Sequence, residues 1–370
     1  MKTISERSFS IAIIVLKIVG FYPSDNHKQL HKLYGIVLYI VAMIPISILS
    51  LLHFVFLEEM SDFKSNDFSM VAIIFYTFKL PPCLIHRNKI KRCIHYFDDP
   101  LYSVVKQEHK KIMDECIAVC RRNINVFLIS CLSTGCTFLA PALINPEILP
   151  LNVWLPQFVV DEPVLFQLVR FLTFLVVFYV VLSCGTVDPL VAGLCHQATG
   201  QIQILKENLQ CLGRELDTDT FQKIKKCVEH HQTILNFVNE FQSCFSLVVF
   251  CQLAGSSLVI GVLCFQMSRT TTGVGFLLTV NDFFVLFFQI FFYCYYGSLL
   301  IQESDSLSSA IYLSRWYECD VHCKKALIVF MEHSKKPIVV TAGKLLPLSL
   351  ETFTMILRRA YSLVAVLKNY

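Results

Sequence analysis

Five ionisable side chains lie inside long apolar segments of the chain: Lys79, Arg170, Asp282, Arg358 and Arg359. If these segments cross a membrane, each charge is costly unless it is paired or reaches water, so each is a functional candidate. Arg170 and Asp282 lie at similar depths, about 9 and 12 Å from the outer ends of their segments. We therefore predict an Arg170–Asp282 ion pair. The alternative is that each side chain separately reaches water at the interface.

The other three charges lie elsewhere in their segments. Lys79 is near an inner end, and we interpret it as extending its ammonium group to the cytosolic boundary. Arg358 and Arg359 lie midway along the last apolar segment. Two adjacent arginines facing lipid would be expensive, whereas a water-filled path would tolerate them. They indicate a conduction pore, unless the span starts later and both reach a boundary.

The composition indicates an integral membrane protein. Apolar residues make up 55% of the 370 residues and charged residues 16%, with a mean hydropathy of +0.57, whereas soluble domains are about 25% charged. Seven segments approach the roughly 20 residues that cross a bilayer as a helix. We predict an all-α fold with seven transmembrane helices and cytosolic helical extensions. The predicted spans are 33–57, 68–86, 124–144, 164–182, 241–267, 274–301 and 346–367.

The charge distribution predicts the orientation. Most of the 32 Lys and Arg residues fall in the N-terminal segment and in alternate connections, while the opposite face has only Lys64, Arg269 and Lys368. Cationic loops stay in the cytosol, so we expect a cytoplasmic N-terminus and an extracellular C-terminus. A metabotropic seven-span receptor has the reverse orientation. The net charge of +4 is spread over several connections, which favours contact with anionic lipid over nucleic-acid binding.

Catalytic and metal-binding patterns are missing from the sequence. It has no Gly-rich phosphate loop, nucleophile elbow or HExxH motif. Cys319, His322 and Cys323 lie close together, but a fourth ligand at a zinc-site spacing is lacking. We expect no enzymatic activity, metal or cofactor.

Small and aromatic residues in the outer halves of the spans could line an apolar pocket for a small ligand. On the third span they recur at i, i+3, i+4 and i+7 and so share one face, which would suit either a pocket or close helix packing. The candidate ligand-binding residues are Ala72, Phe75, Tyr76, Ser133, Cys136, Thr137, Ala140, Phe171, Phe174 and Asn281.

Three stretches of the chain resemble the insect odorant receptor family. The first is VDPLVAGLCHQATGQIQILKENL at 187–209, and the second begins with HHQTILNFVNEFQ at 230. The third is the C-terminal part, which contains FFYCYYGSLLIQES, AIYLSRWY and IVVTAGKLLPLSLETFTMILRRAYSLVAVLKNY. Its matching residues are Tyr293, Cys294, Gly297, Trp316, Ala342, Gly343, Ser349, Phe353, Tyr361 and Ser362.

This resemblance implies a function. Members of the family form tetrameric odorant-gated cation channels with an odorant co-receptor, in the plasma membrane of olfactory neuron dendrites. The short connection at 195–240 resembles the odorant-tuning subunit, because the co-receptor has a longer one. The expected partners are thus the co-receptor, a volatile ligand and membrane lipid. The alternatives are a gustatory-type channel, disfavoured because a Gln-Phe pair is missing after Tyr361, and a metabotropic receptor.

The resemblance also implies a division of the chain. Residues 1–194 would hold spans one to four with the ligand pocket, 195–240 a cytosolic helical connection, and 241–309 spans five and six. Residues 310–345 would form a cytosolic anchor and 346–370 a pore-lining seventh helix. The expected pore residues are Leu363, Val366, Asn369 and Tyr370. Four copies of Lys368 would repel one another near such a pore, which favours mixing with a partner that lacks this charge.

Overall fold

The computed structural model describes residues 3–24, 28–56, 68–98, 107–212, 220–269 and 273–367, and it is almost entirely helical. The helices, in chain order, are α1 (Ile4–Val19), α2 (Lys28–Val55), α3 (Phe68–Lys79), α4 (Pro81–Ile85), α5 (Arg87–Ile94), α6 (Gln107–Ile144), α7 (Gln157–Asp161), α8 (Pro163–Gln210), α9 (Thr220–Arg269), α10 (Val274–Tyr312), α11 (Val321–His333) and α12 (Leu350–Leu367). A 3-10 turn at Trp316–Glu318 and two strands, β1 (Thr341–Ala342) and β2 (Leu346–Pro347), lie around α11.

The all-α prediction is confirmed, and several predicted spans are the apolar parts of longer helices. In the described part of the chain, five helices are long and apolar enough to cross a membrane, or six if α3, α4 and α5 form one span bent by 73°. The predicted seventh span coincides with α12, whose 18 residues include three charges and which is not among these helices. Many large apolar side chains point outward, such as Ile48, Ile129 and Phe178, as expected for surfaces that face lipid.

Helix α8 is the central element of the fold. It packs against α6 and α10 over much of its length and also contacts α1, α2 and α9. None of its residues between 163 and 172 is buried, whereas between 183 and 205 only His196 and Gln203 fall short of full burial. The inner half of α8, residues 183–205, is therefore the centre of a compact bundle. The helices are more loosely packed around its outer half, residues 163–182.

Helix α1 packs against α6 and the inner half of α8. Its first turn is fixed by a capping box between Thr3 and Glu6. It ends at Gly20, which has φ of 91° and donates to the Leu16 carbonyl. A Cβ on Gly20 would lie 2.5 Å from the Cα of Gly35, so the glycine also permits α1 and α2 to touch.

A small hairpin directs the chain into α12. The strands pair antiparallel, with Ala342 opposite Leu346. Gly343 and Lys344 both have φ of 60°, as the two central residues of a type I′ turn require, and the Leu345 amide closes this turn by donating to the Ala342 carbonyl at 3.0 Å. The Gly343 amide donates to the Ser246 carbonyl of α9 at 2.9 Å. Ser349 then caps α12, because its Oγ accepts from the Thr352 amide at 3.2 Å.

Candidate functional site

A cavity lies among the spans, on the side that the charge distribution predicts to be extracellular. Its volume is about 110 Å³. Helices α3, α6, α8, α9 and α10 form its walls, and Leu151 closes it from the connection between α6 and α7. That connection is held in place by Trp154, which stacks on Phe56 at 5.0 Å between ring centroids and donates its amide to the Leu49 carbonyl.

The cavity walls are mostly aliphatic. Helix α8 contributes Val176, Val177, Val180 and Val181, whose spacing places all four on one face of the helix. Val259 of α9 and Leu286 of α10 complete the apolar lining together with residues of α3 and α6. Such a surface suits a small apolar molecule, because small-ligand sites are usually apolar with a few placed polar groups.

One carboxyl group, that of Asp282, lies on the cavity wall. The residue is 5% exposed, and the Thr134 and Asn281 side chains lie beside it. The Asn281 amide nitrogen also donates to the Thr134 hydroxyl at 3.0 Å. The Asp282 Oδ1 atom is buried and has no hydrogen-bond partner among the described residues. Asp282 is therefore a cavity-lining residue that has an acceptor without a partner.

A buried polar network lies directly below the cavity. Lys79 Nζ donates to Asp188 Oδ1 and to Gln252 Oε1, both at 2.6 Å. The Tyr293 hydroxyl donates to Asp188 Oδ1 at 2.6 Å, and Gln289 Nε2 donates to Oδ2. Gln289 also lines the cavity. The network joins α3, α8, α9 and α10, and its opposite charges compensate each other, which a buried ion requires.

The structure corrects the interpretation of Lys79. Its side chain is 1% exposed and ends at Asp188, so the ammonium group does not extend to the cytosolic boundary. Asp188 was not counted among the intramembrane charges, because the predicted fourth span ends at residue 182 and Asp188 lies in the helix that continues inward from it. A span drawn along the whole helix would have flagged Asp188 as an intramembrane acid and offered Lys79 as its partner.

The predicted Arg170–Asp282 pair is not formed. Arg170 Nη2 donates to the Ala142 carbonyl at 2.6 Å, Nη1 contacts Gln167, and the guanidinium lies 5.7 Å from the centre of the Phe174 ring. Asp282 instead faces the cavity. Similar depths in the membrane do not suffice for contact, since the two side chains leave their helices in different directions.

The candidate ligand residues divide into two groups. Ala72 and Tyr76 line the cavity, and Phe75 lines a smaller neighbouring one. Asn281 holds Thr134 beside Asp282. The other predicted residues do not line the cavity: Ser133, Cys136 and Ala140 are exposed, Phe171 is 64% exposed, Thr137 is half-buried, and Phe174 packs under Arg170.

The residues predicted on the third span therefore lie on a different face of α6 from the one that lines the cavity. The residues of α6 that line the cavity are Cys131, Thr134 and Phe138, which form the neighbouring stripe. The apolar residues of α6 surround the helix within the membrane, so the sequence pattern does not indicate which stripe faces inward.

The predicted pore residues are only partly described. Leu363 is half-buried and packs on α9, where a Cβ on Gly261 would lie 2.6 Å from Leu363 Cδ2. It therefore faces its own subunit, against the expectation that it lines a pore. The Val366 side chain, Asn369 and Tyr370 lie outside the described residues. Arg358 and Arg359 are both exposed on α12.

The fold and the cavity define an all-helical membrane protein with a small, mostly apolar cavity among its spans. The family model "7tm Odorant receptor" matches residues 59–361. The chain belongs to this odorant receptor family, and its relatives are receptors rather than enzymes.

Individual relatives agree with this assignment. The chain is 22% identical to odorant receptor Or1 of Anopheles gambiae over 98% of this chain and 95% of that one. It is 29% identical to odorant receptor 82a of Drosophila melanogaster over about half of each chain. The solved olfactory receptor OR5 of Machilis hrabei in complex with eugenol is similar in fold, with a TM-score of 0.84, 14% identity, and coverage of 98% of this chain and 97% of that one.

Proposed function

We propose that the chain is the odorant-binding subunit of a ligand-gated cation channel. In this proposal it assembles with an odorant co-receptor as a heterotetramer, in the plasma membrane of an olfactory neuron dendrite. A small, mostly apolar volatile occupies the cavity beside Val180 and Leu286. The observation that supports this most directly is that the helices lining the cavity also hold α12, the expected pore helix.

Two contacts connect the cavity to α12. On α10, Leu286 and Gln289 line the cavity, while Phe287 and Phe291 pack against Phe353 of α12 at 5.3 and 5.7 Å between ring centroids. A shift or rotation of α10 around a ligand would therefore move the aromatic surface on which α12 rests.

The second contact is on α9. Val259 lines the cavity, and Gly261, two residues further along, accommodates Leu363 of α12. A ligand opens the channel only if it binds the open arrangement more tightly than the closed one. Contacts that differ between the two arrangements at Val259 and Leu286 would supply that difference.

The outward face of α12 would serve the pore or the neighbouring subunits. Thr354, Arg358, Tyr361 and Ala365 are exposed and follow a helical stripe. This stripe replaces Leu363 in our proposal. An arginine on a lipid-facing stripe would be costly, so contact with water or with another subunit fits Arg358 better.

The experiment is to express the chain with the co-receptor and record currents across a broad odorant panel of esters, ketones, alcohols and aromatics. We expect ligand-evoked cation currents that need both chains. Val180→Phe would fill the cavity and abolish the response to every active ligand without reducing surface expression. Currents from the chain alone would contradict the co-receptor requirement, and unchanged responses in Val180→Phe would contradict the cavity as the ligand site.

A further inference from the structure

The unsatisfied oxygen of Asp282 restricts the chemistry of the ligand. The other groups at the cavity are mostly aliphatic, so Oδ1 is an isolated strong acceptor on an apolar wall. A buried acceptor without a partner is unfavourable, and the cost is larger for a charged group. A molecule that donates a hydrogen bond there would remove this cost, whereas one that only accepts would not.

Nearby cations do not satisfy Asp282 in the described part of the chain. Lys79 is held by Asp188 and Gln252 below the cavity. Arg170 is held by the Ala142 carbonyl and by Gln167. Both cations have other partners, so neither forms an ion pair with the Asp282 carboxyl group.

The neighbouring polar groups present Asp282 as an acceptor. Asn281 Nδ2 donates to Thr134 Oγ1 at 3.0 Å, which leaves the hydroxyl proton of Thr134 free to be donated to the carboxylate. Thr134 and Asp282 both line the cavity. A Thr134 hydroxyl turned in this way would hold the carboxyl group and leave Oδ1 for a further donor.

We propose that the cavity selects small apolar molecules with one hydrogen-bond donor, namely alkanols and alkylamines. The O–H or N–H group donates to Asp282 Oδ1, and the hydrocarbon part lies against the α8 valines, including Val177 and Val180. This inference rests on the proposed function, because it assigns a ligand class to the same cavity.

The test compares isomers that differ only in the donor. Hexanol and pentyl methyl ether have the same atoms, but only hexanol donates a hydrogen bond; hexylamine provides a cationic donor and hexane has no polar group. Currents are recorded from the chain with the co-receptor, and thermal stabilisation of the purified complex is measured with the same probes. For the wild type, we expect half-maximal concentrations about tenfold or more lower for hexanol than for the ether.

Two substitutions at Asp282 separate charge from shape. Asp282→Leu removes the acceptor, so the hexanol preference should disappear while the ether still acts. Asp282→Asn can present an amide N–H to the cavity, so the preference should shift toward the ether. Asp161→Asn is the matched control, because it removes an exposed acid from α7 and should leave the preference unchanged. Surface labelling checks that each variant reaches the membrane, and Asp282→Asn keeps the test valid if Asp282→Leu does not fold.

The outcomes distinguish this inference from the proposed function. If hexanol and the ether act equally on the wild type, or if both Asp282 variants keep the preference, the ligand class is wrong while the receptor function stands. The same holds if the complex responds to members of a broad odorant panel but to neither alcohols nor amines. If no odorant of that panel evokes current, the proposed function itself is wrong.

Discussion

The two halves of α8 differ in what surrounds them. The outer half leaves a cavity beside Val176, Val177, Val180 and Val181, whereas the inner half is buried on nearly every side. The buried Lys79–Asp188 pair lies between the two. The difference suggests a rigid inner bundle that holds the helices in place and an outer half loose enough to admit a ligand.

The largest expected effect is at the boundary between the halves. Lys79→Met or Asp188→Asn alone leaves one uncompensated group in a buried network, and breaking a buried pair typically costs about 3–5 kcal/mol. We expect a large loss of thermal stability in detergent for each single variant. The double variant should recover part of it, because no buried charge remains. Single variants that melt like the wild type would show that the pair does not hold the helices together.

The sequence predicted the helices better than the site. The spans follow from the hydropathy of each segment, and the expected orientation follows from the charge of each loop. Both are local properties of the sequence. The rotation of a helix about its axis depends on its neighbours, and this is why Ser133 and Cys136 were chosen where Cys131 and Thr134 line the cavity. The Lys79–Asp188 pair joins residues 109 positions apart, so only the packing of α3 against the other helices reveals it.

The matching residues of the C-terminal part have a physical explanation in the structure. Gly297 of α10 lies against the chain that leads into α12, where a Cβ would be 2.3 Å from the Leu348 carbonyl oxygen. Gly343 forms the hairpin turn and Ser349 caps α12. These residues fix where α12 begins relative to α9 and α10. Their spacing is visible in the sequence, but the contacts that explain it are visible only in the structure.

Overfilling the two halves of α8 tests the difference in packing directly. Val180→Phe adds volume beside the cavity, whereas Val191→Phe adds it eleven residues further along, where the side chain is 0% exposed. Overpacking a filled core costs about 1–3 kcal/mol. We expect Val191→Phe to lower the melting temperature and Val180→Phe to leave it nearly unchanged while blocking the ligand response. Equal melting temperatures for the two variants would contradict the proposed difference.

A smaller effect is expected where the inner bundle passes into α12. Ser349→Ala removes the hydroxyl that accepts from the Thr352 amide, and loss of an N-cap costs about 1 kcal/mol. The prediction is a modest loss of stability together with a changed fraction of open channels, because the start of α12 would fray. Ser349→Thr keeps a capping oxygen and should behave like the wild type. A Ser349→Thr variant as impaired as Ser349→Ala would point to a role other than capping.

The smallest effect separates charge pairing from burial. Arg92 and Glu240 also form an ion pair, at 2.9 Å, but the arginine side chain is 64% exposed. Exposed pairs contribute about 0–1 kcal/mol, so Arg92→Met should barely change the melting temperature, and high salt should remove any difference. Lys79→Met makes the same chemical change for a lysine inside the bundle. If Arg92→Met were as damaging, the inner bundle would depend on its ion pairs wherever they lie, and the boundary between the two halves of α8 would lose its special position.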